Sequence, residues 1–209
     1  MTVVQALLAF SVAAGLLTIT PGLDTAIVLR TAAVEGSRRA ALAALGVIAG
    51  CLVWGAAVAL GLGVLLQASS LAFNLIKWAG AAYLVWLGIG LILKPRDRFD
   101  LAAPGGPAGT SDLAWMRRGF LTNLLNPKVG VFYISFLPQF LPAGVPAAPF
   151  IFLLAAMHGV MSVAWFGLLI GATRPIAGAL QRAAVVRWLD RLTGGVFLAF
   201  GLRLALERR

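Results

Sequence analysis

Six stretches of this chain are almost wholly apolar and each is close to the ~20 residues a helix needs to cross the hydrocarbon core of a bilayer. They run over residues 7–29, 40–66, 71–93, 119–137, 150–173 and 188–206. Hydrophobic side chains make up 61% of the 209 residues and charged ones 11%, against about 45–50% and about 25% in soluble domains. A soluble fold of this size has too little interior to hide that much apolar surface. A soluble enzyme, a disordered chain and a disulfide scaffold are therefore excluded. The expected class is an all-α integral membrane protein of about six transmembrane helices.

Residues 94–116 hold the strongest interruption. Lys94-Pro95-Arg96-Asp97-Arg98 closes the third stretch, and Pro104-Gly105-Gly106-Pro107-Ala108-Gly109 reads as a linker. The chain is thus expected to be one transmembrane domain over 1–209, divided into a three-helix repeat at 1–93, a cytoplasmic linker at 94–116 and a second three-helix repeat at 117–209. An odd number of spans per half makes the halves enter the membrane in opposite senses, the topology of inverted-repeat transporters. Two short matches agree: Thr20-Pro21 with Asn126-Pro127, and Leu87-Gly88 with Phe200-Gly201.

Seventeen Lys and Arg against seven Asp and Glu give a net charge of +10. Twelve of the seventeen lie in the segments after the first, third and fifth stretches or, for Arg191, just inside the stretch that follows, which marks those segments as cytoplasmic and both termini as external. Arg203, Arg208 and Arg209 argue the other way, and a five-span arrangement with one re-entrant end stays open. These bases suit anionic headgroups and topology rather than nucleic acid. Met1–Gln5 carries no Lys or Arg, so the first stretch is expected to be a retained span rather than a secretory leader. The single Cys51 reads as a small packed hydrophobe.

Proline inside a membrane helix removes an N–H and frees a carbonyl. Thr20 and Asn126 are good N-caps, and Pro21 and Pro127 follow at the favoured first helical position. The first and fourth spans are therefore expected to break, with half-helices restarting at Pro21 and Pro127. In an inverted pair both new N-termini face the middle of the membrane, where free N–H groups attract carboxylates. Asp24 is six residues before Arg30, and Lys128 ten after Arg118, placing them roughly 9 Å and 15 Å inside the boundary. The dipole favours Asp24 and opposes Lys128, so Lys128 wants an anion. Asp24 and a substrate carboxylate are both candidates, and a static Asp24–Lys128 pair joining the halves is the alternative.

Thr20-Pro21-Gly22-Leu23-Asp24 resembles the Thr-Pro-Gly-Pro-Asp signature of LysE/RhtB-type amino-acid exporters, with Leu23 in place of the second proline. Asn126-Pro127-Lys128, Phe132 and Leu137-Pro138-Gln139-Phe140 resemble that family's second signature, and Gly46 and Gly50 fit its small-residue pattern. The resemblance spans essentially the whole chain. It implies export of amino acids or related small zwitterionic metabolites from a bacterial cytoplasm, across the inner membrane, driven by the proton gradient or membrane potential.

On this reading Thr20, Pro21, Gly22, Asp24, Asn123, Asn126, Pro127 and Lys128 form the substrate site. The substrate carboxylate meets the helix starts and Lys128. Asp24 meets the amino group or carries the coupling proton. His158 is a second proton-coupling candidate, or a structural hydrogen-bond donor between helices. Asn123 binds substrate or a neighbouring helix. Gly46-x-x-x-Gly50 and Gly194-Gly195 suit close helix approach. Trp78, Trp115 and Trp188 suit an interfacial belt, while Trp54, Trp86, Trp165, Tyr83 and Tyr133 are read as deeper packing or cavity lining. Asp190 beside Arg187 and Arg191, and Glu35 beside Arg38 and Arg39, read as solvated pairs.

The expected partners are a small-molecule amino acid and the lipid bilayer. Long apolar faces allow a homodimer without requiring one. No catalytic residue, cofactor or tight metal site is expected. The rivals are a transporter of another cargo such as a cation, a membrane scaffold, and a membrane enzyme whose only foothold is His158–Ser162, four residues apart on one helical face.

Overall fold

The first helix begins on reciprocal bonds. The Thr2 hydroxyl accepts from Gln5 N at 3.2 Å, and the Gln5 side chain accepts from Thr2 N at 2.9 Å, a capping box that satisfies two otherwise unpaired donors. The computed structural model describes residues 1–68, 78, 81–82, 85–86, 88–97, 111–180 and 182–206. Regular structure among them is helical, without a strand. In chain order the helices are α1 (Val3–Ile19), α2 (Leu23–Val34), α3 (Ser37–Ala68), α4 (Asp112–Leu124), α5 (Pro127–Phe136), α6 (Ala147–Gly171), α7 (Thr173–Leu180) and α8 (Ala183–Leu206). Residues 88–93 are also helical, and a 3-10 turn at Leu137–Phe140 follows α5.

Two helical stretches of 25 residues, Ser37–Gly61 within α3 and all of α6, are long and apolar enough to span a bilayer. Among the described residues the pair α1–α2, bent at its break, passes the same test only when its two helices are taken together as one span. Much of the expected third span, with Tyr83, and the Pro104–Gly109 linker lie outside the described residues.

Both expected breaks occur, with one correction. The first stretch divides between Ile19 and Leu23, and its halves diverge by 51°. Thr20, however, does not cap α2. It is the C-cap of α1, and its hydroxyl turns back to the Leu16 carbonyl at 2.6 Å, a bond that extends the helix it ends. Gly22 is the residue that caps α2, so Pro21 sits between the helices rather than at a first helical position. The second break follows expectation: Asn126 caps α5 and Pro127 opens it.

Lipid tails are as apolar as leucine, so helix association here rests on close packing rather than on escape from water. Gly46 and Gly119 let α3 and α4 meet: a Cβ at Gly46 would overlap the Met116 carbonyl, and one at Gly119 the Ala43 carbonyl. Gly88 and Gly194 are reciprocal, since a Cβ on either would stand 2.7 Å from the other's carbonyl oxygen. Gly195, by contrast, faces no neighbour within 4 Å among the described residues. An aromatic cluster joins α1, α5 and the 3-10 turn. Phe10 meets Phe140 edge-on at 5.4 Å, and Phe132 stacks on Phe136 at 4.8 Å.

Two tryptophans depart from expectation. Trp115 is buried, with the Arg118 guanidinium 4.8 Å from its ring centroid, because close α3–α4 packing encloses it. Trp86 is exposed on the helix surface rather than lining a cavity. Trp78 and Trp188 are exposed, as a belt requires. On the basic side Glu35 pairs with Arg39 at 2.6 Å, and Arg38 with Asp112 at 2.5 Å.

Candidate functional site

Pro21 has no N–H, so the Leu17 carbonyl four residues earlier has no helical donor. The side chain that answers it comes from the other half of the chain. Lys128 Nζ donates to Leu17 O at 3.3 Å and to Thr20 O at 3.1 Å. The next carbonyl, that of Pro21, accepts from Arg96 Nη2 at 3.1 Å. Two cations thus satisfy the carbonyls released by one break.

The second break aims Lys128. Asn126 Oδ1 accepts from Lys128 N at 3.1 Å, which fixes the first turn of α5 and turns the lysine towards the end of α1. The N-terminal dipole of α5 disfavours this ammonium, while the carbonyl end of α1 favours it. The expected demand for an anion is therefore met by backbone oxygens. A static Asp24–Lys128 pair is not among the described ion pairs, which overturns that alternative.

Asp24 stands in the first turn of α2. Its Oδ2 accepts from Asn123 Nδ2 at 2.8 Å, and the same amide nitrogen lies 3.4 Å from Cys51 Sγ. Among the described residues Asp24 Oδ1 is buried and has no hydrogen-bond partner, and the same holds for Asn123 Oδ1. A lone buried carboxylate oxygen is costly unless something binds it.

Asp24 lines a cavity of about 40 Å³, with Thr20, Gly22, Asn126, Lys128 and His158 also on its wall. Asn123 is fully buried and reaches the cavity through its contacts with Asp24 and Cys51. Pro127 opens α5 at the second break, and Pro21 shapes the first without being among the described residues that line the space. Thr18, Cys51, Ser162 and Phe166 also line it. Of these, Thr18 was the least legible, since nothing in its neighbourhood separates it from other small residues of the first stretch.

His158 is committed on both ring nitrogens. Nδ1 is 2.9 Å from the Tyr133 hydroxyl and Nε2 is 3.1 Å from Thr18 Oγ1. Thr18 already donates its proton to Ala14 O at 2.7 Å. It must accept from Nε2–H, which leaves Nδ1 to accept from Tyr133. The ring thereby ties α1, α5 and α6 together as a neutral imidazole. Ser162 makes neither bond, so no nucleophile–base pair forms and the enzyme reading loses its foothold.

Asp190 corrects another expectation. It is 0% exposed, and its partner is neither Arg187 nor Arg191. Arg96 donates to it three times: backbone N and Nε to Oδ2, both at 2.9 Å, and Nη2 to Oδ1 at 2.5 Å. Arg187 turns instead to Asp97 at 2.9 Å. A signal existed in the sequence, since Asp190 falls inside the sixth apolar stretch, where a carboxylate requires a partner.

Residues 15–208 match the family described as LysE type translocator. A leucine efflux protein of Klebsiella pneumoniae is 32% identical over 95% of this chain and 93% of its own length. A threonine efflux protein of Escherichia coli K12 is 31% identical, covering 90% of this chain and 91% of its own length. An uncharacterized membrane protein of Vibrio cholerae is 32% identical over 96% and 97%. No solved structure matches the chain significantly. With the family match covering nearly the whole length and two proline-broken helices meeting at one cavity that holds Asp24 and Lys128, the chain belongs to the LysE type translocators.

Proposed function

We propose that this protein is a multi-pass secondary transporter of the bacterial inner membrane that exports small zwitterionic amino acids. One observation carries the reading. Asp24 Oδ1 is a buried acceptor without a partner, and Lys128 faces the same cavity without neutralising it. Lys128 has three N–H donors, two of which reach the Leu17 and Thr20 carbonyls. The cavity therefore offers one anionic acceptor and one spare cationic donor. An α-amino acid carries the complementary pair, with its ammonium for Asp24 and its carboxylate for Lys128 and the Gly22 helix start. The names of the leucine and threonine efflux relatives support this substrate class.

Space for about 40 Å³ admits a few waters but not a whole amino acid, so the arrangement corresponds to a closed stage of the cycle. Export then requires the break regions to move apart. Asp24 is assigned the coupling proton, since His158 has both ring nitrogens engaged. An inverted repeat is part of the proposal. The same chain offset separates Pro21 from Pro127 and Gly88 from Gly194, and the last two residues approach each other reciprocally. This register replaces the pairing of Gly88 with Gly201.

The test is counterflow in proteoliposomes loaded with leucine or threonine. Wild-type protein is expected to exchange both, and N-acetylated or amidated analogues are expected not to compete. Asp24→Asn keeps an acceptor for Asn123 but loses the charge, and is expected to lower exchange by roughly 10–100-fold. Wild-type exchange by both Asp24→Asn and Lys128→Ala overturns the proposal.

A further inference from the structure

We propose that Arg96, oriented by the buried Asp190, is a positioning residue of the transport site: it holds the Pro21 carbonyl and so fixes how Gly22 starts α2 and presents Asp24. The inference rests on the reading that Asp24 meets the substrate. α8 reaches the first break at two successive residues. The Thr193 hydroxyl bonds to the Thr20 hydroxyl, and Asp190, one turn earlier on the same face, reaches Pro21 through Arg96. One helix of the second half thereby sets the position of the break in the first.

The chemistry needs arginine. The planar guanidinium spans both Asp190 oxygens, through Nε and Nη2, and Nη2 has a further hydrogen for Pro21 O. Lysine offers a point charge that keeps the ion pair but cannot hold both carboxylate oxygens and the carbonyl in one fork. A buried pair of this kind stabilises a fold no better than apolar packing would. Its geometry is what an apolar pair cannot supply: a cation fixed at 0% exposed Asp190 and aimed at a backbone oxygen within the break. Arg96 is itself 39% exposed, so the contact can be released without unfolding the core.

Arg96→Lys and Asp190→Asn test this. Both are expected to accumulate as folded protein and to raise the half-saturation for leucine counterflow roughly tenfold or more, with a smaller change in rate at saturation. Cys51, the chain's only cysteine and part of the cavity wall, supplies a second readout that needs no substrate. Its alkylation by N-ethylmaleimide is expected to accelerate in both variants, because the break loosens. If Arg96→Lys fails to accumulate, the near-isosteric Asp190→Asn decides. Wild-type half-saturation overturns the proposal, and so does a lost rate at unchanged half-saturation, the mark of damage that is merely structural. Asp24→Asn run alongside separates the two readings. If it transports normally, the substrate site lies elsewhere, while Cys51 alkylation still reports whether Arg96 holds the break.

Discussion

Lys128 Nζ stands 3.3 Å from the carbonyl of Leu17, the one that Pro21 leaves without a helical donor. A lysine that begins one broken helix thus repairs the end of the other. Lys128→Met removes the donor from two carbonyls and is expected to lower stability by about 2 kcal/mol or more. The thermal midpoint of the detergent-solubilised protein measures this, and Lys128→Arg, which keeps donors, should fall between methionine and wild type. A wild-type midpoint for Lys128→Met would mean that something else covers Leu17 O and Thr20 O.

Gly46 and Gly119 set the approach of α3 to α4. An alanine at Gly46 places its methyl group on a backbone carbonyl, which cannot rotate away. Gly46→Ala should therefore destabilise by about 1–3 kcal/mol, and Gly119→Ala similarly. Gly61 has nothing within 4 Å of its would-be Cβ, so Gly61→Ala should stay within about 0.5 kcal/mol of wild type. Thermal midpoints of the three variants give the comparison, and equal effects at Gly46 and Gly61 would contradict the packing.

The breaks were legible because proline acts locally. Pro21 and Pro127 lose their N–H whatever surrounds them, and Asn126 is a good cap on chemistry alone. The position of the restart was less legible. Thr20 can cap forwards or bond backwards, and only its surroundings, including the Thr193 hydroxyl on α8, accompany the backward choice. Asp190 was misread because Arg187 and Arg191 are near in sequence, whereas Arg96 is 94 residues away. The rotational setting of α8 decides which arginine Asp190 meets, and that setting depends on contacts such as Gly88–Gly194. The backbone partners of Lys128 were not legible, since the carbonyls of Leu17 and Thr20 that a broken helix exposes belong to a segment more than 100 residues away.

His158 lines the same cavity and Tyr133 is buried against its ring, and their bonds have a fixed direction. Tyr133 donates to Nδ1, Nε2–H donates to Thr18, and Thr18 donates to Ala14 O. Tyr133→Phe leaves a buried acceptor unpaired and should destabilise by about 1–3 kcal/mol. His158→Gln can still accept at one end and donate at the other, so it should retain more stability than His158→Ala. If exchange per folded molecule also survives in His158→Gln, the ring positions helices. An abolished exchange in a well-folded His158→Gln would return the coupling proton to His158.

Gly50 is expected to affect transport although it is not among the described cavity-lining residues. A Cβ there would stand 2.5 Å from Asn123 Oδ1 and 2.9 Å from Asn123 Cβ, so Gly50→Ala must push Asn123 aside. Asn123 is the side chain that holds Asp24 Oδ2 at 2.8 Å. Displacing it frees Asp24 to rotate away from the space it shares with Lys128, and misplacement of a binding group by about 1 Å can cost roughly 100-fold. Gly50→Ala is therefore expected to depress leucine or threonine counterflow by roughly 10–100-fold, well beyond its effect on the thermal midpoint. Gly159→Ala is the matched control, because its nearest neighbour would be Ile48 at an ordinary 3.6 Å. Counterflow by Gly50→Ala equal to that of Gly159→Ala would show that the Asn123–Asp24 bond does not set the binding geometry.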